Sequence, residues 1–309
     1  MTFDEQNPSG AAPARARASD PAGGAPEETH PAGMESSEPE PQHPPGIPSA
    51  PQFGPEIPED LRVPWGGVDI AVFIILLGIA SIVVTWGLAE FAVRFLGVNA
   101  SALFGNTMST AKSIVVLFSQ ALLDGGAILF LYLMLLGRMR GPFWQSIGWR
   151  GLRAGRGSAH ATALQFLSGG AMLALVVTFA GAFLSSKENL PIEQLLKARV
   201  SMLLFAVLGV VVAPLVEETI FRGFLYPVIA RWMGISAGVV ITGTLFGLMH
   251  AAQLWGGWGQ IALLILVGVV LTWVRARTGT VTASYFVHLG YNGLQLLGYL
   301  IYIIGGIHR

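Results

Sequence analysis

Apolar residues run in long stretches from about residue 69 to residue 304, separated by short polar or glycine-rich segments. Each stretch can cross roughly 30 Å of hydrocarbon as a helix. The pattern predicts spans near 69 to 92, 113 to 137, 161 to 184, 201 to 231, 236 to 254, 260 to 275 and 280 to 304. The expected fold class is all-α, a polytopic transmembrane helical bundle of about seven spans (six to eight) with a disordered N-terminal tail. Three parts follow: a tail at 1–60, N-terminal transmembrane helices at 61–199, and a core at 200–306 that carries most of the intramembrane polar groups. Pro214 lacks a backbone donor and its ring clashes one turn back, so 201 to 231 is predicted to be kinked or split.

Composition agrees with a membrane protein, at 53% hydrophobic and 12% charged residues. Residues 1–60 hold 13 of the 18 prolines and 11 acidic against two basic residues, too little apolar surface to offset ordering. They read as a solvated linker without a signal-peptide pattern, and His30 and His43 stand in it without ligand spacing. The absence of cysteine excludes disulfides, thiolate nucleophiles and thiolate metal ligands. Nothing suggests nucleic acid; the expected partner is membrane lipid, and the oligomeric state stays open.

Loop arginines set the expected orientation. Arg138, Arg140, Arg150, Arg153 and Arg156 follow the second span, and Arg231, Arg275 and Arg277 fall on the same side under a seven-span count. Lys112, Lys187, Lys197 and Arg199 oppose them. An integral protein of a bacterial cell membrane with a cytoplasmic amino terminus is expected.

Charges within hydrocarbon are costly unless paired or facing a wet cavity, and the long segment holds Glu217, Glu218 and Arg222. Neighbouring helix positions diverge by about 100°, so the two glutamates point apart. Glu218 and Arg222, four apart, share a face and can pair, which leaves Glu217 for another role. His288 and Asn292 likewise share a face. A hairpin turning near Gly234 would set Glu217 opposite His250, each about 25 Å from the turn, and tilt brings His288 to a similar depth. Phe246 is either packing or pocket wall. Asp124, Ser236 and Ser284 read as structural, His160 and His308 as incidental, and "GTLFG" at Gly243–Gly247 as a close helix contact.

A carboxylate can take a proton from water, an imidazole can transfer protons or bind a metal, and an amide or imidazole can donate to an oxyanion. Glu217, His250, His288 and Asn292 therefore suit peptide hydrolysis. Zn2+ on Glu217, His250 and His288 would leave a position for water, but there is no "HExxH" spacing, and a metal-free mechanism is also open. Two other classes compete. One is an idle membrane immunity or scaffold protein; the other is an ion-coupled transporter, which an inverted repeat of broken helices would favour.

Three motifs in order, "EETIFR" at Glu217–Arg222, "FGLMH" at Phe246–His250 and "HLGYN" at His288–Asn292, resemble the CPBP intramembrane proteases. This family, also called the CAAX protease and bacteriocin-processing or ABI family, includes the type II CAAX prenyl endopeptidases. The resemblance covers roughly residues 200 to 300. It implies that Glu217 activates water with help from His250, that His288 and Asn292 stabilise the oxyanion, and that Glu218 and Arg222 hold the site, with Phe246 supporting. It also implies a membrane-associated or lipidated protein or peptide substrate.

Overall fold

The computed structural model describes residues 58–105, 109–152, 159–184 and 199–307. The tail before residue 58, with His30 and His43, and also Arg153, Arg156, Lys187, Lys197 and His308 lie outside the described residues. Helix α1 is Gly67–Leu96, followed by short α2 (Ala100–Phe104), α3 (Thr110–Leu135), short α4 (Phe143–Ser146) and α5 (Ala159–Phe183). The polar half contains α6 (Arg199–Val207), α7 (Ala213–Glu218), α8 (Tyr226–Met233), α9 (Ile235–Met249), α10 (Trp258–Thr278) and α11 (Val281–Ile307).

Among the described residues, five helices are long and apolar enough to cross a membrane: Gly67–Leu96, Thr110–Leu135, Thr162–Phe183, Leu204–Met233 and Trp258–Thr278. The protein is thus an all-α, multi-span membrane protein. Their outward faces are apolar because lipid is their solvent; Ile82, Val83 and Trp86 of α1 are well exposed. The other two expected spans differ from that pattern. Helix α9 stops at Met249, and its 15 residues reach about 22 Å, short of the hydrocarbon thickness. Helix α11 has the length, but His288, Asn292 and Gln295 interrupt its apolar run.

Of the two expectations for Pro214, kinked or split, the split does not occur. The chain stays helical from Arg199 to Met233, with two π-helical segments, Leu208–Val212 and Thr219–Leu225, between α6, α7 and α8. Each π segment ends just before a proline, Pro214 or Pro227, in the first turn of the helix that follows. A wider turn takes the carbonyl behind the ring out of its path, so the helix absorbs proline by changing pitch instead of breaking. The carbonyls of Gly209 and Phe224, one in each π segment, accept side-chain hydrogen bonds from Asn292 Nδ2 at 2.8 Å and Trp65 Nε1 at 3.0 Å.

After Gly234, whose φ of 86° favours glycine, the chain reverses into α9. Helix α9 then lies against α10 at near-backbone contact. A Cβ on Gly243 would sit 2.4 Å from Val269 N, and one on Gly268 would sit 2.4 Å from Gly243 O. The expected close contact at "GTLFG" is therefore present, and α11 completes this half by packing on α5.

Several loop arginines gather at one end of the bundle. Arg138 pairs with Asp69, Arg275 pairs with Asp60 at 2.6 Å, and Arg231 donates to the carbonyls of Val63 and Trp65, each at 2.8 Å. Asp60, grouped by composition with the tail, belongs to a folded 3-10 turn at Glu59–Leu61.

Candidate active site

The two π segments flank the six residues of α7 that carry Glu217 and Glu218. Glu218 and Arg222 are fully buried and pair at 3.0 Å, as their spacing predicts. The rest of the arginine fork is also used, with Nε to Thr272 Oγ1 at 3.2 Å and Nη2 to the Gly268 carbonyl at 2.9 Å. Its guanidinium stands 4.5 Å from the centre of the Phe246 ring. This cation–π contact and the hydrogen bonds satisfy a charge that hydrocarbon would otherwise reject.

Glu218 does more than balance Arg222. The same oxygen, Oε1, accepts from His288 Nδ1 at 3.0 Å. A carboxylate held by arginine can only accept, so Nδ1 carries the proton and Nε2 of a neutral ring keeps its lone pair. His250 repeats the arrangement by another route. It caps the C-terminus of α9, and its Nδ1 lies 2.9 Å from the Phe246 carbonyl, again an acceptor. Both rings thus turn Nε2 the same way, toward Glu217.

Glu217 receives them on its two oxygens. His250 Nε2 lies 3.7 Å from Oε1 and His288 Nε2 lies 3.6 Å from Oε2. These separations exceed a direct hydrogen bond and suit contacts shared through a water. Glu217 is the least buried of the three, at 18% side-chain exposure, and opens on a cavity of about 780 Å³. Phe246 is the wall between them. Its ring meets Phe221, His250 and His288 at 5.4, 5.0 and 5.5 Å, so it serves as packing and pocket lining together.

Asn292 also lines the cavity. One of its amide hydrogens goes to Gly209 O, which leaves a second N–H and the carbonyl oxygen. Asp124 is buried on α3, one oxygen held by Gln120 Nε2 at 2.7 Å and the other without a partner. The sequence reading missed Thr272, Gly268 and Trp149. Trp149 donates to Thr219 Oγ1 at 3.0 Å and fixes the start of the second π segment. Thr272 and Gly268 are four apart on one face of α10, a weak signal in a helix of small and apolar residues.

The donor types of Glu217, His250 and His288 suit zinc, and a hydrogen bond at the other ring nitrogen, as both Nδ1 atoms have here, is common among zinc-binding histidines. Their placement does not fit. Among the described residues, no three His, Asp or Glu side chains stand so as to hold a metal ion. Each imidazole instead addresses a different oxygen of Glu217.

Fold and cavity together define an all-helical, multi-span membrane protein in which a carboxylate and two imidazoles meet inside the bundle. Residues 199–294 match the family described as Type II CAAX prenyl endopeptidase Rce1-like, and over that part the chain belongs to this CPBP, Rce1-like CAAX protease family. All three motifs fall in the match, whereas α1 to α5 lie outside it. No curated protein and no solved structure matches the chain.

Proposed function

We propose that the protein is an intramembrane endopeptidase that hydrolyses a peptide bond of a membrane-associated protein, prenylated substrates included, with Glu217 as general base. The observation that carries this reading is the approach of two imidazole Nε2 atoms, which present lone pairs when the rings are neutral, to the two oxygens of Glu217 at the cavity wall. Acceptors facing acceptors repel one another unless a donor lies among them, and water supplies two O–H groups. A water there attacks the substrate carbonyl carbon while Glu217 takes its proton. The C–N bond then breaks as that proton passes to the departing amine. Until then that proton is shared between Glu217 and Nε2 of His288, whose N–H, together with the free N–H of Asn292, stabilises the oxyanion. Glu218 and Arg222 hold the histidine that does so.

The burial of Glu218, with its Oε1 held by both Arg222 and His288, favours this reading over a transporter, because a coupling carboxylate must be free to bind and release its ion. The two helix irregularities also lie in a single helix instead of an inverted repeat. The test is cleavage of a membrane-peptide library by the detergent-solubilised protein, with a folded Glu217→Ala variant and a chelator arm. Cleavage by the parent alone supports the proposal, and loss of cleavage with chelator would point to a metal-bound form. No cleavage by either would favour an immunity or scaffold role.

A further inference from the structure

The cavity beside Glu217 is mostly apolar, yet uncharged amide side chains enter it from three helices. Gln120 comes from α3, Gln260 from α10, and Asn292 and Gln295 from α11. Gln120, Asn292 and Gln295 are anchored at one end. Gln120 commits Nε2 to Asp124, leaving Oε1 to accept. Gln295 takes a hydrogen bond from Thr178 on Oε1 at 3.2 Å and touches Tyr291 Oη only weakly, at 3.4 Å, leaving N–H capacity. Gln260 Oε1 is buried without any hydrogen-bond partner. This also gives the buried Asp124 a task that the hydrolytic step does not: it fixes which way the Gln120 amide faces.

The spacing on α11 adds direction. His288, Asn292 and Gln295 are separated by four and three residues and form one stripe. Seven residues of helix rise about 10 Å. That is the length of roughly three residues of extended chain.

We infer that these amides form a track that binds the backbone of an unwound, apolar peptide segment, so that the site selects for an extended uncharged chain and not for particular polar side chains. The ligand's identity as a peptide rests on the peptidase reading. A peptide extended in a water-poor cavity leaves an N–H and a C=O unpaired at each residue, a cost that apolar walls cannot relieve. Side-chain amides supply donor and acceptor without charge, whatever the peptide's sequence. The leucines, valines and phenylalanines of the same cavity take its apolar side chains.

The test measures binding of a dye-labelled leucine–alanine peptide to the Glu217→Gln protein in detergent, so that the probe is not consumed. A series of probes replaces single backbone amides by esters, which removes one N–H without altering the protein. Two or more positions should weaken binding about three- to tenfold. Gln260→Leu and Gln295→Leu should weaken binding of the all-amide probe by a similar factor, with Gln260→Leu erasing the ester effect at one position. Ester probes that bind like the all-amide probe throughout, no binding of the all-amide probe, or leucine variants that bind it unchanged would overturn the inference. Cleavage by the parent protein is followed in parallel. Ester-sensitive binding without cleavage retires the peptidase reading alone, and cleavage with ester-insensitive binding retires the amide track alone.

Discussion

The imidazole of His288 stands between two consecutive glutamates, Nδ1 3.0 Å from Glu218 Oε1 and Nε2 3.6 Å from Glu217 Oε2. Neighbouring carboxylates on one helix point apart, but a ring with a nitrogen on either edge can meet both. Glu218 thereby sets the tautomer that His288 presents to Glu217. Replacing His288 by alanine should lower peptide hydrolysis about 10²- to 10⁴-fold. The variant should still unfold as one cooperative bundle in a thermal melt, because the Glu218–Arg222 pair survives.

Glu218→Gln is expected to act mainly on stability. Arg222 is fully buried and Glu218 is its carboxylate partner, so a neutral amide leaves a charge in hydrocarbon without its counter-ion. Breaking such a pair from one side costs about 3–5 kcal/mol. Thermal unfolding in detergent should register the loss, and an unchanged melting temperature would show that the pair contributes nothing.

Trp65 tests the reach of the N-terminal segment into the site. Its indole N–H is the partner of the Phe224 carbonyl in the second π segment, and both groups are buried. Trp65→Phe keeps an aromatic ring and removes only the donor. A loss of about 1–3 kcal/mol is expected, read by the same melts, with Trp65→Ala costing more through the cavity it leaves.

Gly243 reports on the contact of α9 with α10. A side chain there would drive into the backbone at Val269, whereas Gly78 on α1 has open space around it. Gly243→Val should destabilise by about 1–3 kcal/mol. Gly78→Val should stay nearer to neutral, and equal effects at the two sites would mean that the contact is not tight.

The sequence carried the membrane class, the hairpin at Gly234 and the close contact at Gly243, because hydrocarbon thickness and small-residue packing leave direct marks on residue order. It also singled out the residues that meet in the cavity, since charge in an apolar helix is conspicuous. It did not carry the state of the helix between Arg199 and Met233. Proline can break, kink or widen a helix, and here the widened turns before Pro214 and Pro227 are secured by Asn292 and Trp65 respectively, residues remote in the chain from either proline. The tie from Glu218 to His288 was hidden for the opposite reason: a local rule, pairing four residues apart, already accounted for Glu218. The early end of α9 at Met249 was missed because "HAAQLW" continues the apolar composition after the helix has stopped.

The central claim is that Glu217 takes the proton of an attacking water. Its most direct test is the rate at which the protein and Glu217→Gln hydrolyse one cleavable peptide, with both shown to be folded and to bind that peptide. Glutamine keeps the shape and the polar contacts of the side chain but cannot accept the proton. The account predicts equal binding with a rate at least about 10²-fold lower in the variant. Hydrolysis by Glu217→Gln at the parent's rate would contradict it.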